Sequence, residues 1–293
     1  MSLRSFLFSL LILSRLTASA IQGGAQDNIL QYKDSLNSLA HVMQRGGTDS
    51  ARFAAASVYY SIINFILSDS SSFNAAFDAV PNLSVKTAPD QAFRLYSWVT
   101  SNYDGSQYVY FGFVQTRKNK KVSLFPLTDS TASIDRPLSR KLKPGNWYGA
   151  IYYGIVANER KGKKYYTLLG WKARNEMFTQ KVIDVITFDG GKPVFGLPVF
   201  KVGNLYNHRI IFEFTSQAVM SLKYESGKKA LVFDHIGKSS LTGVIGPDGT
   251  YDAFKYVKDH WEYTEDVDVD NGFVPKKKDV KLFKDDELKK EEK

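Results

Sequence analysis

Residues 148–171, YGAIYYGIVANERKGKKYYTLLGW, consist of two runs rich in aromatic and β-branched residues, separated by a short basic segment. The residues of each run follow a period of two, which is the period of a β-strand. The same layout recurs from Phe93 onward, where the runs are bounded by Gly, Asn and Asp. We therefore predict that the chain beyond residue 90 folds mainly as short strands, at residues 93–100, 108–115, 122–127, 148–156, 164–171, 182–188, 193–200, 209–214, 220–224, 230–236 and 251–257.

Tight turns connect the predicted strands. Four of them contain glycine, which supplies the positive φ that such turns require. Strands joined in this way are antiparallel, because parallel neighbours need crossover helices. We predict an α+β, mainly β protein in which an N-terminal helical pair packs on an antiparallel β-meander, folded as a sandwich or a partly open barrel. The turns are Asn102–Gly105, Asp189–Gly191, Glu225–Gly227 and Pro247–Gly249.

Two helices are predicted before the strands. Between residues 29 and 43, apolar side chains recur at spacings of three and four behind Asp27, the predicted cap, and glycines 46–47 end the pattern. A second helix is predicted to begin at Thr48 or Asp49. Because it is apolar almost all round, we expect it to be buried, and it is too short and polar to span a bilayer.

The first twenty residues are typical of a secretory signal peptide. Arg4 precedes an apolar run over residues 6–13, and residues 18–20, Ala-Ser-Ala, suit cleavage. We expect an exported protein, periplasmic or extracellular, without a transmembrane segment in the mature chain. The predicted parts are signal peptide, helical region, antiparallel β body and charged tail, at residues 1–20, 21–90, 91–274 and 275–293.

Composition excludes several kinds of site. The 293-residue chain has no cysteine, so disulfides, thiolate metal ligands and cysteine nucleophiles are excluded. A disulfide-free exported chain of this size is more typical of the bacterial periplasm than of small secreted animal modules. Removing Arg4 and Arg15 with the signal peptide lowers the formal net charge from +9 to +7.

Three basic clusters lie between β-like runs. We expect them to be solvated hairpin tips, and a phosphate- or polyanion-binding face is the alternative. An exported chain without a recognisable nucleic-acid-binding motif is not expected to bind nucleic acid. The clusters are Arg117–Lys121, Arg160–Lys164 and Lys228–Lys229.

Four histidines are the natural acid–base candidates near neutral pH. His41 is predicted to face solvent on the first helix. His235 follows Asp234, but successive strand residues point to opposite faces, so this dipeptide is not by itself an orienting pair. His208 and His260 complete the set, and neither a G-x-S-x-G nor an H-E-x-x-H motif accompanies them. We therefore assign no catalytic residue.

Asp184, within VIDVITF, is a further candidate site residue. It shares a strand face with Val182 and Ile186, where an ionised carboxylate without a partner would be costly. The alternative is that Asp184 points outward and that Ile183 and Val185 form the buried face.

The acidic segment 265–272, EDVDVDNG, has the alternating aspartates of a calcium loop, Asp266, Asp268 and Asp270. It fails the full pattern, because Asn271 stands where glycine belongs and Lys277 where the bidentate glutamate belongs. We expect an exposed edge strand with valines inward and aspartates outward, and no metal site or cofactor. Calcium-dependent adhesion through the three aspartates is the alternative.

Adjacent aromatic residues could form a stacking platform for sugar rings, since their rings are amphipathic. Because adjacent residues on a strand face opposite ways, about half of them are expected in the core. The groups are Tyr108–Phe111, Trp147-Tyr148, Tyr152-Tyr153, Tyr165-Tyr166, and Trp261 with Tyr263.

Two stretches carry a resemblance to known proteins. Residues 171–200, WKARNEMFTQKVIDVITFDGGKPVFGLPVF, and the segment ALVFDHI with the following GPDGTYDAFKYVKDHWEYTEDVD resemble exported proteins of unassigned activity from Bacteroidetes-type bacteria. The resemblance implies a periplasmic or surface setting and carries over no catalytic residue.

These observations predict an exported, non-catalytic β protein that binds a cell-envelope ligand or a protein partner through loops at one end of the sheet body. The alternative is a hydrolase acting on envelope or extracellular polysaccharide through paired carboxylates. Two carboxylates facing each other across a cleft, about 5 to 10 Å apart, would favour the hydrolase.

Overall fold

A computed structural model describes residues 24–119, 121–239 and 243–267. The predicted signal peptide and charged tail lie outside these residues. Helices α1, Ala25–Arg45, and α2, Asp49–Ser68, are followed by a 3-10 helix, Ser70–Asn74. The strands are β1 Ser84–Thr87, β2 Phe93–Ser101, β3 Tyr108–Lys118, β4 Lys121–Thr128, β5 Ile151–Arg160, β6 Lys163–Ala173, β7 Phe178–Asp189, β8 Lys192–Phe195, β9 Phe200–Val202, β10 Leu205–Asn207, β11 Ile210–Thr215, β12 Leu222–Glu225, β13 Ala230–Lys238, β14 Ile245–Val257 and β15 His260–Thr264.

The strands form three sheets. The first sheet has the order β1-β2-β3-β4, the middle sheet has the order β11-β7-β6-β5 with β8 beside β7, and the third has the order β10-β9-β15-β14-β13-β12. Buried apolar clusters separate the helices from the first sheet, the first sheet from the middle sheet, and the middle sheet from the third. The protein is therefore a stack of four layers, one of helices and three of β-sheet.

The predicted fold class is confirmed: the protein is α+β, mainly β, with an N-terminal helical pair on an antiparallel β body. The sandwich is the arrangement found, extended to three sheets. One pair of strands is parallel, β15 beside β9, with Trp261 opposite Phe200. Within the described residues, neither helix has the length and apolarity that crossing a bilayer requires.

The helical pair is anchored to the outer face of the first sheet. Tyr59 of α2 is fully buried, and its ring lies 5.7 Å from that of Trp98 on β2. Gln115 of β3 accepts a hydrogen bond from the Tyr96 hydroxyl and donates one to the carbonyl of Leu67, at 2.8 Å. Apolar packing and a buried polar contact thus hold the end of α2 in place.

The helix ends follow the predictions only in part. Thr48 caps α2 as expected, its hydroxyl accepting from the Ala51 amide at 3.2 Å. Helix α1 begins earlier than predicted, after Gly24, so Asp27 lies in its first turn and is not the cap. The prediction that α2 is buried all round is wrong, because Val58 and Phe65 are 50% and 46% exposed.

Three short strands were not predicted: β1, β10 and β15. Each has only three to five residues, and each gains its order from a partner strand. Strand β1 lies ahead of the predicted body boundary at residue 91, because Ser84 to Thr87 pair with Ser97 to Arg94 of β2.

Two other local predictions are wrong. The run 193–200 is not one strand, since Gly196, at φ 86°, separates β8 from β9, and a Cβ there would lie 2.6 Å from the Arg140 carbonyl oxygen. The predicted turn at 247–249 lies inside β14. There His235 alone stands opposite Asp248–Thr250, which forms a bulge.

The middle sheet is buried on both faces. Val182 and Ile186 face the first sheet, whereas Ile183 and Val185 face the third. Asp184 therefore has no outward face to occupy, so the predicted alternative of an outward orientation is wrong. Burial raises the pKa of the Asp184 carboxyl, and the charge of Arg209 opposes that rise.

Arg209 is the partner that Asp184 requires. Both side chains are fully buried, and the guanidinium Nε lies 3.2 Å from Oδ2 of Asp184. Arg209 Nη1 also donates to the carbonyls of Pro137 and Arg140. The pair joins the middle sheet to the long connection between β4 and β5.

Substitution Arg209→Met should destabilise the protein by about 3 to 5 kcal/mol, because it leaves the Asp184 carboxylate buried without a counter-charge. Chemical denaturation measures the free energy of unfolding. The double variant Asp184→Leu/Arg209→Met should recover much of the loss, since neither charge is left buried. Lys164→Met, which breaks the exposed pair with Asp90, is the control and should cost far less stability, because exposed ion pairs contribute little. An equal loss in both single variants would contradict the assignment.

Candidate functional site

A cleft of about 900 Å³ lies between the first and middle sheets, at one end of the layers. Its lining comes from β6 and β7, from the connection between β2 and β3, and from residues 129–137, which we call the covering segment. This volume is in the range of small-molecule sites. Polar side chains of the lining include Asp129, Asp135, Arg136, Tyr148, Lys172, Arg174 and Gln180.

The covering segment is held at both of its ends. At the start, the Ser130 amide donates to the carbonyl of Trp147 at 2.9 Å. At the other end, Arg209 donates to the carbonyl of Pro137. The buried Asp184–Arg209 pair thus supports the cleft from behind without lining it.

A row of polar side chains crosses the middle sheet at the cleft. Lys172 of β6 stands opposite Gln180 of β7, which stands opposite Glu213 of β11. Gln180 accepts from the Tyr148 hydroxyl at 2.8 Å and donates to Glu213 at 2.6 Å. Arg174 completes the row through a 2.7 Å ion pair with Glu213. The apolar core between the two sheets ends at this row.

Lys172 is the least expected member of the row. Its side chain is only 5% exposed, although it lines the cleft. Nζ donates to the carbonyl of Gly149 at 2.9 Å, lies 3.8 Å from Oδ2 of Asp129, and lies 4.0 Å from the ring centre of Tyr110. Burial lowers the pKa of the Lys172 ammonium to about 8, and the charge of Asp129 limits that fall.

Asp129 is committed to the protein. Its carboxylate accepts from the amides of Tyr110, Thr131 and Gly149 and from the Thr131 hydroxyl. Gly149 permits this close approach, because a Cβ there would lie 2.6 Å from the Asp129 carboxyl carbon. The carboxylate is therefore fixed as an acceptor and as the counter-charge of Lys172.

The ammonium of Lys172 can donate three hydrogen bonds. Within the described residues it makes one, to Gly149, and its distance from Asp129 exceeds hydrogen-bond length. A buried cation with unused donors, at the wall of a cleft, can donate hydrogen bonds to the negative or strongly polar end of a ligand. Because Lys172 is a lone lysine in a strand-like run, no motif in the sequence marks it.

A second polar cluster surrounds His235. Its Nδ1 lies 2.8 Å from Oδ2 of buried Asp252, which also accepts from the Tyr263 hydroxyl at 2.6 Å. The bulge in β14 places Asp248 3.8 Å from Nε2. Burial lowers the pKa of His235, but the hydrogen bond and charge of Asp252 and the charge of Asp248 raise it by more, so the net shift is upward.

The adjacent Asp234 is not the partner of His235, as predicted from the alternation of strand faces; it accepts from the Ser221 amide instead. Detecting Asp252 requires knowledge of strand register, because it lies 17 residues away.

The other histidines do not join either cluster. His41 is exposed on α1, as expected. Burial, with the charge of Arg209, lowers the pKa of His208 to about 4. His260 Nδ1 lies 3.2 Å from Asp259 Oδ1, and Glu262, two residues further along β15, pairs with Lys201.

The acidic segment is described only through Val267, so Asp268 and Asp270 lie outside the described residues. Residues 265–267, the described part of the segment, are not in the predicted edge strand, since β15 ends at Thr264 and Asp266 has φ 47°. Val267 is buried, as expected. In the described part of the chain, no group of three or more acidic or histidine side chains could hold a metal ion.

The aromatic groups predicted as a stacking platform belong chiefly to the core. Seven of them are at most 5% exposed: Tyr110, Trp147, Tyr148, Tyr152, Tyr165, Tyr166 and Trp261. The basic clusters occupy hairpin tips, as predicted, at the connections β3–β4, β5–β6 and β12–β13.

No protein-family model, no curated protein and no solved structure matches this chain. The assignment of a function therefore depends on the chemistry of the cleft and of the protein surface.

Substitution His235→Gln should destabilise the protein more at pH 5.5 than at pH 8.5. The pKa of His235 is raised in the folded state, so protonation of His235 stabilises that state. The stabilisation is fully present below the pKa of roughly 6.5 in the unfolded state and is lost as pH rises through the pKa in the folded state. Denaturant unfolding at both pH values measures the difference. His41→Gln, on the exposed face of α1, is the control for the loss of a histidine. A constant difference across pH would exclude the charged His235–Asp252 pair.

Proposed function

We propose that this is an exported, non-catalytic binding protein whose cleft holds a small ligand with an acidic group, received by Lys172. The observation that carries the proposal is the buried ammonium at the cleft wall, with one hydrogen bond and a counter-charge at 3.8 Å. An anionic oxygen would use the remaining donors and restore the interactions that burial removes.

The rest of the lining supports a hydroxylated ligand. The covering segment and the β2–β3 connection contribute hydroxyl groups, and apolar side chains lie among them. The cations Arg136, Lys172 and Arg174 line the cleft with the carboxylates Asp129 and Asp135, and Arg174 is already paired with Glu213. Much of the lining lies on connections at one end of the sheets, which is where binding residues concentrate on β scaffolds. A sugar acid satisfies each of these requirements.

The polysaccharide hydrolase remains a prediction. It requires a carboxyl group that can deliver a proton and a second carboxylate across the cleft. Asp129 accepts hydrogen bonds from four donors, and Asp135 lies within 4 Å of Arg136 and Arg140. Neither arrangement favours a proton donor, so binding without hydrolysis is the function that the cleft supports better.

Isothermal calorimetry should show that the wild-type protein binds glucuronate. Glucose, its neutral counterpart, should bind at least about tenfold more weakly because it lacks the charge. Affinity for glucuronate should fall as pH rises above about 8, approaching about tenfold per pH unit, because binding requires the protonated amine. Substitution Lys172→Met should remove both the binding and its pH dependence.

Lys181→Met is the matched control. Lys181 is half-buried on the neighbouring strand and also lies over an aromatic ring, that of Tyr153 at 4.7 Å, but it faces the third sheet. This variant should bind glucuronate as the wild type does. Equal binding of glucose and glucuronate, or unchanged binding in Lys172→Met, would refute the proposal. Release of reducing sugar from an acidic polysaccharide would favour the hydrolase instead.

A further inference from the structure

Three hairpin tips meet at one corner of the protein. They comprise residues 159–163 around the β5–β6 turn, 225–229 around the β12–β13 turn, and 257–260 around the β14–β15 turn. Tyr256 joins all three, since its amide donates to the carbonyl of Lys229 and its hydroxyl to the carbonyl of Glu159. Arg160 Nε also lies 3.8 Å from Asp259 Oδ2. We call these tips the basic corner.

The basic corner carries an excess of positive charge. Residues 159–163, 225–229 and 257–260 contain six lysines and arginines and three acidic residues. Glu225 and Asp259 are already paired within the corner, with Lys228 at 3.7 Å and with Arg160. Four exposed lysines have no ion pair among the described residues: Lys161, Lys163, Lys229 and Lys258.

The backbone at these tips shows that lysine is not the residue favoured by the turn. Lys161, Lys229 and Lys258 have φ of 50°, 48° and 57°, where glycine or asparagine is less strained. The tips β2–β3 and β9–β10 use Gly105 and Gly203 at positive φ. Strained positions that retain a charged side chain point to a use for that side chain.

An exposed aromatic ring lies beside the β14–β15 tip. Tyr206 of β10 is 46% exposed, and its ring stands edge-on to that of His260, with 5.6 Å between the ring centres. An exposed ring at the edge of a basic surface suits a sugar that carries acidic groups, because the ring can contact the sugar's apolar face while the lysines contact its charges. We infer that the basic corner binds an anionic polysaccharide along the three tips.

This surface is separate from the cleft. Strand β6 carries Lys163 at one end and Lys172 nine residues later, a distance of roughly 30 Å along an extended strand. Substitutions at the Lys172 end of β6 test the cleft, and substitutions at the Lys163 end test the basic corner. Either proposal can therefore fail without the other.

The quadruple variant Lys161→Glu/Lys163→Glu/Lys229→Glu/Lys258→Glu tests the inference. Wild-type protein should bind heparin, a sulfated glycan, and hyaluronate, a carboxylated one, with affinities that fall as salt rises. The variant should lose at least about tenfold in affinity for the glycan that the wild type binds more tightly. Tyr206→Ala should weaken binding to that glycan by about threefold, since one ring contact is lost. Circular dichroism checks that each variant folds.

The matched control is Lys33→Glu/Lys141→Glu/Lys143→Glu/Lys238→Glu, which changes the net charge equally at exposed lysines outside the tips. It should retain glycan affinity within about threefold, because contacts at the corner are intact. An equal loss in both quadruple variants would show that only net charge matters and would overturn the inference. Duplex DNA bound as tightly as the preferred glycan, with the same dependence on the corner and on Tyr206, would also overturn it.

Discussion

The burial of the middle sheet on both faces is the constraint on which the rest of the structure depends. A strand in such a sheet has no solvent side, so a polar group on it is costly unless it finds a partner inside the protein. Asp184 finds Arg209, and Thr167 donates to Asn158 and accepts from the indole of Trp261. Each of these contacts also joins neighbouring elements, so the polar groups fix the registry of the layers in addition to their own solvation.

The same constraint explains where the cleft lies. Between the first and middle sheets, the apolar core gives way to the row of Lys172, Gln180 and Glu213, which the sheets cannot cover completely. Arg209 connects the two regions, because it neutralises Asp184 in the sheet and holds the carbonyl of Pro137 in the covering segment. Stability and site geometry are therefore coupled through one guanidinium.

Local patterns were enough to predict both helices and the longer strands. The period of two beyond Phe93 predicted those strands, and the change of period before it predicted the helical pair, whereas the short strands β1, β10 and β15 carry no pattern of their own. The layering could not be predicted in the same way, because alternation does not say whether a second face is covered. The run VIDVITF left two orientations for Asp184, and only the presence of a third sheet decides between them.

The functional candidates were harder to predict for a different reason. Lys172 acquires its environment from Gly149, Asp129 and Tyr110, which are distant in sequence. His235 depends on the pairing of β13 with β14 and on a bulge that the turn-like residues 247–249 concealed. Turn chemistry marks where a chain can bend, and the neighbouring strand decides whether it reverses.

The parallel pairing of β15 with β9 has a consequence for how the molecule forms. Trp261 lies opposite Phe200, 61 residues earlier, and between them the chain leaves the third sheet to add β11 to the middle one. The third sheet therefore cannot be completed until residue 264 has been synthesised, whereas every strand of the middle sheet lies before residue 216. Bringing such distant strands together has an entropic cost of loop closure, so folding should be slow. Apolar strands that are still unpaired are prone to aggregate until their partner strands are in place.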